Sequence, residues 1–358
     1  MMDSDRILIG CTVKDKNREY ANLEAEYIFR TLDKFGGELK NSKKIACFVE
    51  NPDSLLKEIL ESMNVQIKIP NQLDDRYPEA NALLVLQEGI QEDVDVIAML
   101  DTDIVITKDF TEHLSTTKIL IKPEDSDPFS LNDWNQLFDF FQIPFPKERF
   151  YTSCSGQKTI PYFNGGVIII PKKFAVELLE YWKYFIKQIL DKKNQLPKRF
   201  IEKIRFTGQF AFSLALIKSK FPYDPLPLSM NYPYSGTVHA SENPESLDPF
   251  IIHHHHSILE NRNLMHCPYD NINSKIDEVN EYLTNVRKIR IEKESLVSVI
   301  SIRNLTMINE FEKVTERLSD LPLDDSNPSL QYYLALSLHH TQKKLDEALI
   351  RYNKALEL

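Results

Sequence analysis

Asp101 and Asp103 stand one residue apart at the end of the apolar run Val96-Ile97-Ala98-Met99-Leu100, with Thr102 between them and Ile104-Val105-Ile106 beyond. An uncharged run of this kind reads as a strand buried on both faces. Two unpaired carboxylates cannot remain in a core, so they must reach water, a cation or a metal. In an open α/β sheet, ligands sit at the carboxyl ends of the strands. A hard divalent ion, held by carboxylate oxygens and bridging to phosphates, fits the spacing. The bland alternative is a charged loop after a strand.

Two later stretches could join the acids. In Pro161-Tyr162-Phe163-Asn164-Gly165-Gly166-Val167-Ile168 a polar residue and two glycines break an apolar strand. Glycines so placed let backbone approach a ligand closely, or mark a bulge. Further on, Phe250-Ile251-Ile252 runs into His253, His254, His255 and His256. In an extended strand His253 and His255 share one face, and one face could supply a metal ligand. The strand is expected to run beside the one that ends at Asp101. A zinc site made of these histidines alone lacks the usual ligand spacing.

Alternating elements must position these groups. Residues 7–13, 44–49 and 65–69 read as short strands. Helices are expected over residues 22–35, where Leu23, Tyr27, Ile28 and Leu32 recur, around Leu56, Ile59, Leu60 and Met63, and over 78–88. Such alternation means a largely parallel, doubly wound sheet, with its nucleotide-binding half in the first hundred residues or so. Neither a glycine-rich dinucleotide fingerprint nor a phosphate-binding Gly-Lys-Ser/Thr loop is present, so phosphate would be held by metal and side chains. Past the acids come a strand at 118–122, an aromatic segment at 134–145 read as core, and a long helix at 174–190. Another helix begins Thr207-Gly208-Gln209.

The chain of 358 residues is 42% hydrophobic, ample for a core, and its net charge of −10 argues against nucleic acid as a partner. Cys11, Cys47, Cys154 and Cys267 are scattered with no Cys-x-x-Cys pair, which suits free thiols in a reducing cytosol. The acidic start lacks a signal peptide's apolar stretch, and no run approaches a membrane span. The expectation is a cytoplasmic protein. Its basic run from Lys183 to Arg205 reads first as a solvated helix face, the alternative being attraction to an acidic acceptor or a membrane surface. Residues 1–270 are expected to form one domain and 271–358 a helical region. Within it, 327–358 carries the Ala-x-x-x-aromatic half of a tetratricopeptide repeat, with Ala348, Tyr352 and Ala355 as packing positions but without the glycine of the first helix, and would serve stability, as a cap on the body, or a protein partner.

The ordered set of Asp-x-Asp after a strand, Tyr-Phe-Asn-Gly-Gly-Val, a helix opening with Gln, and a strand ending in His resembles the GT-A glycosyltransferases. Glycosyltransferase family 8 and its relatives are the most similar. The resemblance spans roughly residues 5–261. It implies a GT-A type doubly wound mixed sheet and a UDP-sugar donor, with Mn²⁺ or Mg²⁺ on the diphosphate and an unidentified glycan, lipid or protein acceptor. By this likeness Asp101 and Asp103 would be metal and donor ligands with Thr102 between them. His253 would be the third protein ligand, with His255 in reserve. Asn164, Gly165 and Gly166 would meet the donor sugar, and Gln209 would join Asn164 in the catalytic contacts. Cys11, Thr12, Val13 and Tyr20 would serve the base and ribose. Gly208 stands where the family has an acid before the glutamine. No general base is assignable.

Two rivals use the same residues. Asp101 and Asp103 also resemble the nucleophile and acid/base of haloacid-dehalogenase-type phosphohydrolases. Those enzymes normally need a later acidic motif, often beginning Gly-Asp, and no Gly-Asp dipeptide occurs here. The other is a degenerate sugar-nucleotide-binding scaffold with a repeat for partners.

Overall fold

The structure, a computed structural model, describes residues 3–14, 20–52, 54–234, 244–259, 261–293, 299–307, 309–318, 328–342 and 344–358. The chain divides into two compact units, Met1–Ser257 with His266–Ile276, and Ile258–Met265 with Asp277–Leu358.

The first unit opens with Ile7–Val13 (β1), Ala21–Phe35 (α1), Lys43–Phe48 (β2), Ser54–Ser62 (α2) and Val65–Lys68 (β3). The helix expected over 78–88 begins as 3-10 helix, Pro78–Leu83, with proline in its first turn, and becomes α only at Leu84–Gly89 (α3). Val96–Leu100 (β4), Ile104–Ile106 (β5), Ile119–Pro123 (β6) and Leu131–Phe140 (α4) follow. Next come Phe150–Tyr151 (β7), Lys158–Thr159 (β8), Phe163–Pro171 (β9), Lys172–Asp191 (α5), Lys198–Glu202 (α6) and Thr207–Ser219 (α7). Tyr223–Pro225 (β10), Tyr232–Pro233 (β11) and Ile251–His253 (β12) complete its strands.

Seven strands make a mixed sheet in the order β10-β6-β9-β4-β1-β2-β3. Only β9 is antiparallel to its neighbours, β4 and β6. The chain winds outward from β1 to β3 and then returns to the other side of β1 to lay down β4. The crevice between the carboxyl ends of β1 and β4 is therefore the topological switch point. Side chains of β4 alternate between two cores. Ile97 and Met99 join Leu178, Trp182 and Phe210, while Val96, Ala98 and Leu100 join Ile28, Phe29 and Leu32. Each of these side chains but the smaller Ala98 contributes about 1.5–3 kcal/mol when taken from water, and a charge in their place would be buried without a partner.

The stretch 96–106 is not one strand. The backbone leaves the large sheet at Asp101-Thr102-Asp103, and β5 joins a separate sheet of order β11-β12-β5. Accordingly β12 does not run beside the strand that ends at Asp101. It lies antiparallel to β5, with His253 opposite Ile104. The reason is that both edges of β4 are already taken, by β1 and β9.

The second unit is helical. It contains most of Asp270–Lys293 (α8), then Val299–Met307 (α9), Phe311–Leu318 (α10), Pro328–His340 (α11) and Leu345–Glu357 (α12). Ile302, Leu305, Val314, Leu318, Leu330, Leu334, Leu338 and Ala348 form its core. Asn327, at the start of the repeat-like segment, lies outside the described residues. Among the described residues no helix is long and apolar enough to cross a membrane.

Candidate active site

Several strand ends meet at the switch point. Lys14 follows β1, Asp101 follows β4, and Glu124 and Asp125 follow β6. Because β9 runs the other way, its first residues, Asn164, Gly165 and Gly166, come back beside Asp101. The Asp101 N–H donates to the Gly166 carbonyl at 2.9 Å. Lys14, Asp101, Glu124, Asp125, Asn164 and Gly165, with Thr12, Gln209, His253 and His255, line a cavity of about 320 Å³ that also has apolar lining, Met99, Ile121 and Ile168 among it.

Asp103 is buried and holds an imidazole on each oxygen: His253 Nε2 lies 3.2 Å from Oδ1, and His256 Nε2 lies 3.1 Å from Oδ2. Burial pushes the Asp103 carboxyl up, but His253 and the neighbouring histidines outweigh it and hold it well below the ordinary range. Burial likewise lowers His253, and the charge of Asp103 overcomes this, so its pKa is raised. Asp101 is half-buried, with Lys14 Nζ 2.5 Å from its Oδ1. Glu24, buried on α1, anchors the far side by meeting His256 Nδ1 at 2.6 Å and accepting from the Thr102 hydroxyl at 3.4 Å.

A directed chain of hydrogen bonds leads away from His253. Asn164 Oδ1 accepts from the Gly166 N–H at 2.9 Å and from Asn231 Nδ2 at 2.9 Å, while Asn164 Nδ2 donates to Glu124 Oε1 at 3.1 Å. That leaves the Asn231 carbonyl oxygen for His253 Nδ1, 3.1 Å away. In the neutral ring Nδ1 therefore carries the proton, and the Nε2 lone pair faces the acids. At the other end Gln209 Nε2 donates to Glu124 Oε2 at 2.5 Å, and the Tyr162 hydroxyl donates to Gln209 at 3.0 Å. Burial and then the adjacent Asp125 raise the Glu124 pKa. Burial also raises Asp125, but its ion pair with the buried Lys122 prevails and lowers it.

The structure thus brings together Asp101, Asp103, His253, Asn164, Gly165, Gly166 and Gln209, and not all the other residues singled out from sequence. Cys11 and Val13 turn their side chains into the core, and of that trio Thr12 alone lines the cavity. Tyr20 caps the start of α1 and is not among the cavity-lining residues. Strand alternation also fails beyond His253. β12 stops there, and His255 and His256 take positive φ of 47° and 61°. The His255 ring lies tilted against that of His253, with centroids 4.1 Å apart and planes inclined at 48°, its Nε2 is 3.9 Å from Asp125 Oδ2, and burial and the neighbouring His253 lower its pKa to about 4. His256, on the opposite face by alternation, reaches Asp103 because the backbone turns back.

Glycine matters at two positions. A Cβ on Gly166 would stand 2.6 Å from His253 Nδ1, so glycine is what admits the imidazole. A Cβ on Gly208 would stand 3.3 Å from the Tyr77 hydroxyl, which accepts the Gly208 N–H at 2.9 Å and donates to the Arg205 carbonyl at 3.0 Å. Tyr77 therefore fills the space beside Gly208, and the acid next to Gln209 is Glu124, from another element. Sequence reading missed Glu124, Asp125, Asn231 and His256. The Glu-Asp pair directly after an apolar strand was the one signal available.

The donor set fits a divalent ion. Asp101, Asp103 and His253 each offer one ligand atom, all within 4.8 Å of one another. Two carboxylates and one imidazole make a donor set that a divalent cation could use, and the Asn231 contact orients the ring as outer groups do around metal-ligating histidines.

The Rhodobacterales glycosyltransferase domain matches residues 41–219, half of the chain. The chain belongs to this family. The matched segment of the glycosyltransferase contains Asp101, Asp103, Glu124, Asn164 and Gln209, and ends before His253. Solved structures similar to the glycosyltransferase include mouse xyloside xylosyltransferase 1 in its apo form, with 14% identity and a TM-score of 0.40, covering 69% of this chain and 96% of that one. Another is the glycosyltransferase GlyE of Streptococcus pneumoniae TIGR4, with 12% identity and a TM-score of 0.42, covering 86% of this chain and 63% of that one. No curated protein matches the sequence.

Proposed function

We propose that this glycosyltransferase moves a sugar from a UDP-sugar to a glycan, lipid or protein acceptor, using Mn²⁺ or Mg²⁺ held by Asp101, Asp103 and His253. What supports the reading is the convergence of those three ligand atoms within 4.8 Å at the sheet's switch point. When bound, the ion supplies positive charge where the diphosphate leaving group becomes more negative. The chain's own residues do the rest. Asn231 holds the His253 ring with Nε2 toward the acids. Asn164, Gln209 and Glu124 wall the cavity with hydrogen-bonding groups suited to sugar hydroxyls, and the apolar lining excludes water from the reacting end. Gly165, with nothing within 4 Å of where a Cβ would stand, leaves its backbone open to the donor.

Thr12, the backbone of Cys11 and Val13, and Tyr20 are assigned to the base and ribose. The relationship to glycosyltransferase family 8 belongs to this proposal. So does a tetratricopeptide-like role for the α11–α12 hairpin, in which Ala348 is buried and Tyr332 lies 5.9 Å from Tyr352 ring to ring. That hairpin is expected to be dispensable for donor binding, and deleting it in a still-folded protein tests this.

The main test is a thermal-shift screen of nucleotide sugars with Mn²⁺, followed by donor hydrolysis with and without the metal. The expected result is stabilisation by a UDP-sugar and hydrolysis that a chelator abolishes. Binding without turnover would favour a sugar-nucleotide-binding scaffold.

A further inference from the structure

We propose that Lys14 is the counter-cation of the metal-free site and exchanges Asp101 for the donor diphosphate when the ion arrives, an inference that rests on the metal reading above. Lys14 and Asp101 extend from β1 and β4, adjacent parallel strands in which Cys11 is opposite Leu100, so the two side chains face each other across the switch-point crevice. Lys14 Nζ lies 2.5 Å from Asp101 Oδ1, and both side chains are about a quarter exposed. The acids here outnumber the cations. Asp101, Asp103, Glu24, Glu124 and Asp125 gather round the site, while Lys122 is committed to Asp125 and Ser153. Arg205, the other strong base lining the cavity, stacks over Phe206 with its guanidinium 4.7 Å from the ring centroid.

An ammonium and a divalent ion cannot comfortably share one carboxylate, because like charges a few ångströms apart in a half-buried site repel strongly. Asp101 belongs to the cluster that would hold the metal, so metal binding would set the ion's charge against the Lys14 ammonium and favour its release. Lys14 lines the same cavity, and a lysine head on a flexible four-carbon stem can turn without backbone movement. A diphosphate on the metal would be the nearest new anion. Lys14 would then weaken metal binding in the absence of nucleotide and strengthen nucleotide binding in its presence, coupling the two.

The test is calorimetric titration of the full chain with Mn²⁺ alone, then with UDP at saturating Mn²⁺, for wild type, Lys14→Met, Lys14→Arg and Asp101→Asn, with melting curves as the folding check. Lys14→Met is expected to bind Mn²⁺ about fivefold more tightly, the scale of a partly exposed ion pair, and UDP about fivefold more weakly. Lys14→Arg should stay within about twofold of wild type for UDP, since it keeps the charge. Unchanged or weaker Mn²⁺ binding by Lys14→Met overturns the displacement, and unchanged UDP binding overturns the destination. If wild type and Asp101→Asn bind Mn²⁺ equally, the metal site itself fails, a result distinct from failure of the exchange.

Discussion

His253 Nε2 lies 3.2 Å from Asp103 Oδ1, and the N–H of the next residue, His254, donates to the Asp103 carbonyl at 2.9 Å. One segment grips both the side chain and the backbone of the other. The antiparallel register of β12 on β5 fixes this grip, so the proposed third ligand is positioned by main-chain pairing rather than by a mobile loop.

The two acids should respond differently to neutral replacement. Asp103→Asn removes the one charge between two imidazoles in a buried site and should cost about 3 kcal/mol. Asp101→Asn breaks a pair that is about a quarter exposed and should cost under about 1 kcal/mol. Both should lose Mn²⁺ binding and transfer. Denaturant melts and Mn²⁺ titration measure this, and equal stability of the two variants would contradict it.

Acidity should weaken metal binding sooner than for an ordinary histidine. In the metal-free protein His253 is raised above 6.5 by Asp103. Stability from the pair is therefore fully present below the unfolded value and is lost as pH rises through the folded one, while Asp103, depressed, loses its share only when pH falls through its own low value. A metal must displace the His253 proton, so Mn²⁺ affinity should begin to fall at a pH above about 6.5. His253→Ala should abolish the effect and His254→Ala should not. A midpoint below 6 would refute it.

His254 carries a cost of its own. It is fully buried, and neither ring nitrogen has a hydrogen-bond partner among the described residues. Burial lowers its pKa to about 3, so between there and 6.5 the unfolded chain takes up a proton that the folded one refuses. Stability rises with pH across that window. His254→Leu should stabilise the protein at pH 5 by about 2 kcal/mol more than at pH 8, which urea melts at the two pH values would reveal.

The paired glycines should part company. Gly166→Ala drives a methyl into the His253 ring and should cost about 1–3 kcal/mol and most of the Mn²⁺ affinity. Gly165→Ala meets open space and should keep both, weakening only donor binding. Equal Mn²⁺ affinity in the two variants would disprove the packing argument.

Glu124 accepts from both Asn164 and Gln209, so Glu124→Gln sets a donor against donors. It should lower transfer about a hundredfold while leaving UDP affinity with Mn²⁺ unchanged. A parallel loss of UDP affinity would place Glu124 in nucleotide binding instead.

The strands, the helices and the pair of acids were legible in the sequence, because apolar periodicity and unpaired carboxylates are local properties. Val96–Leu100 declares burial on both faces by lacking any charge, and two carboxylates at its end can only face a ligand or solvent. Pairing partners are not local. That β12 binds β5 and not β4 depends on β9 having already closed the edge of β4, and β9 does so by running antiparallel in a sheet whose other pairings are parallel. His256 reaches Asp103 only because the backbone turns back at His255, where positive φ replaces strand alternation. Glu124 meets Gln209, and Tyr77 meets Gly208, because the first turn of α7 is packed against the end of β6 and against the start of the 3-10 helix, contacts between segments far apart in sequence. Residue types and their local periodicity thus pointed to the chemistry, while the tertiary structure decided which residues meet at the candidate site, since only strand order and chain reversal bring distant side chains within hydrogen-bond reach.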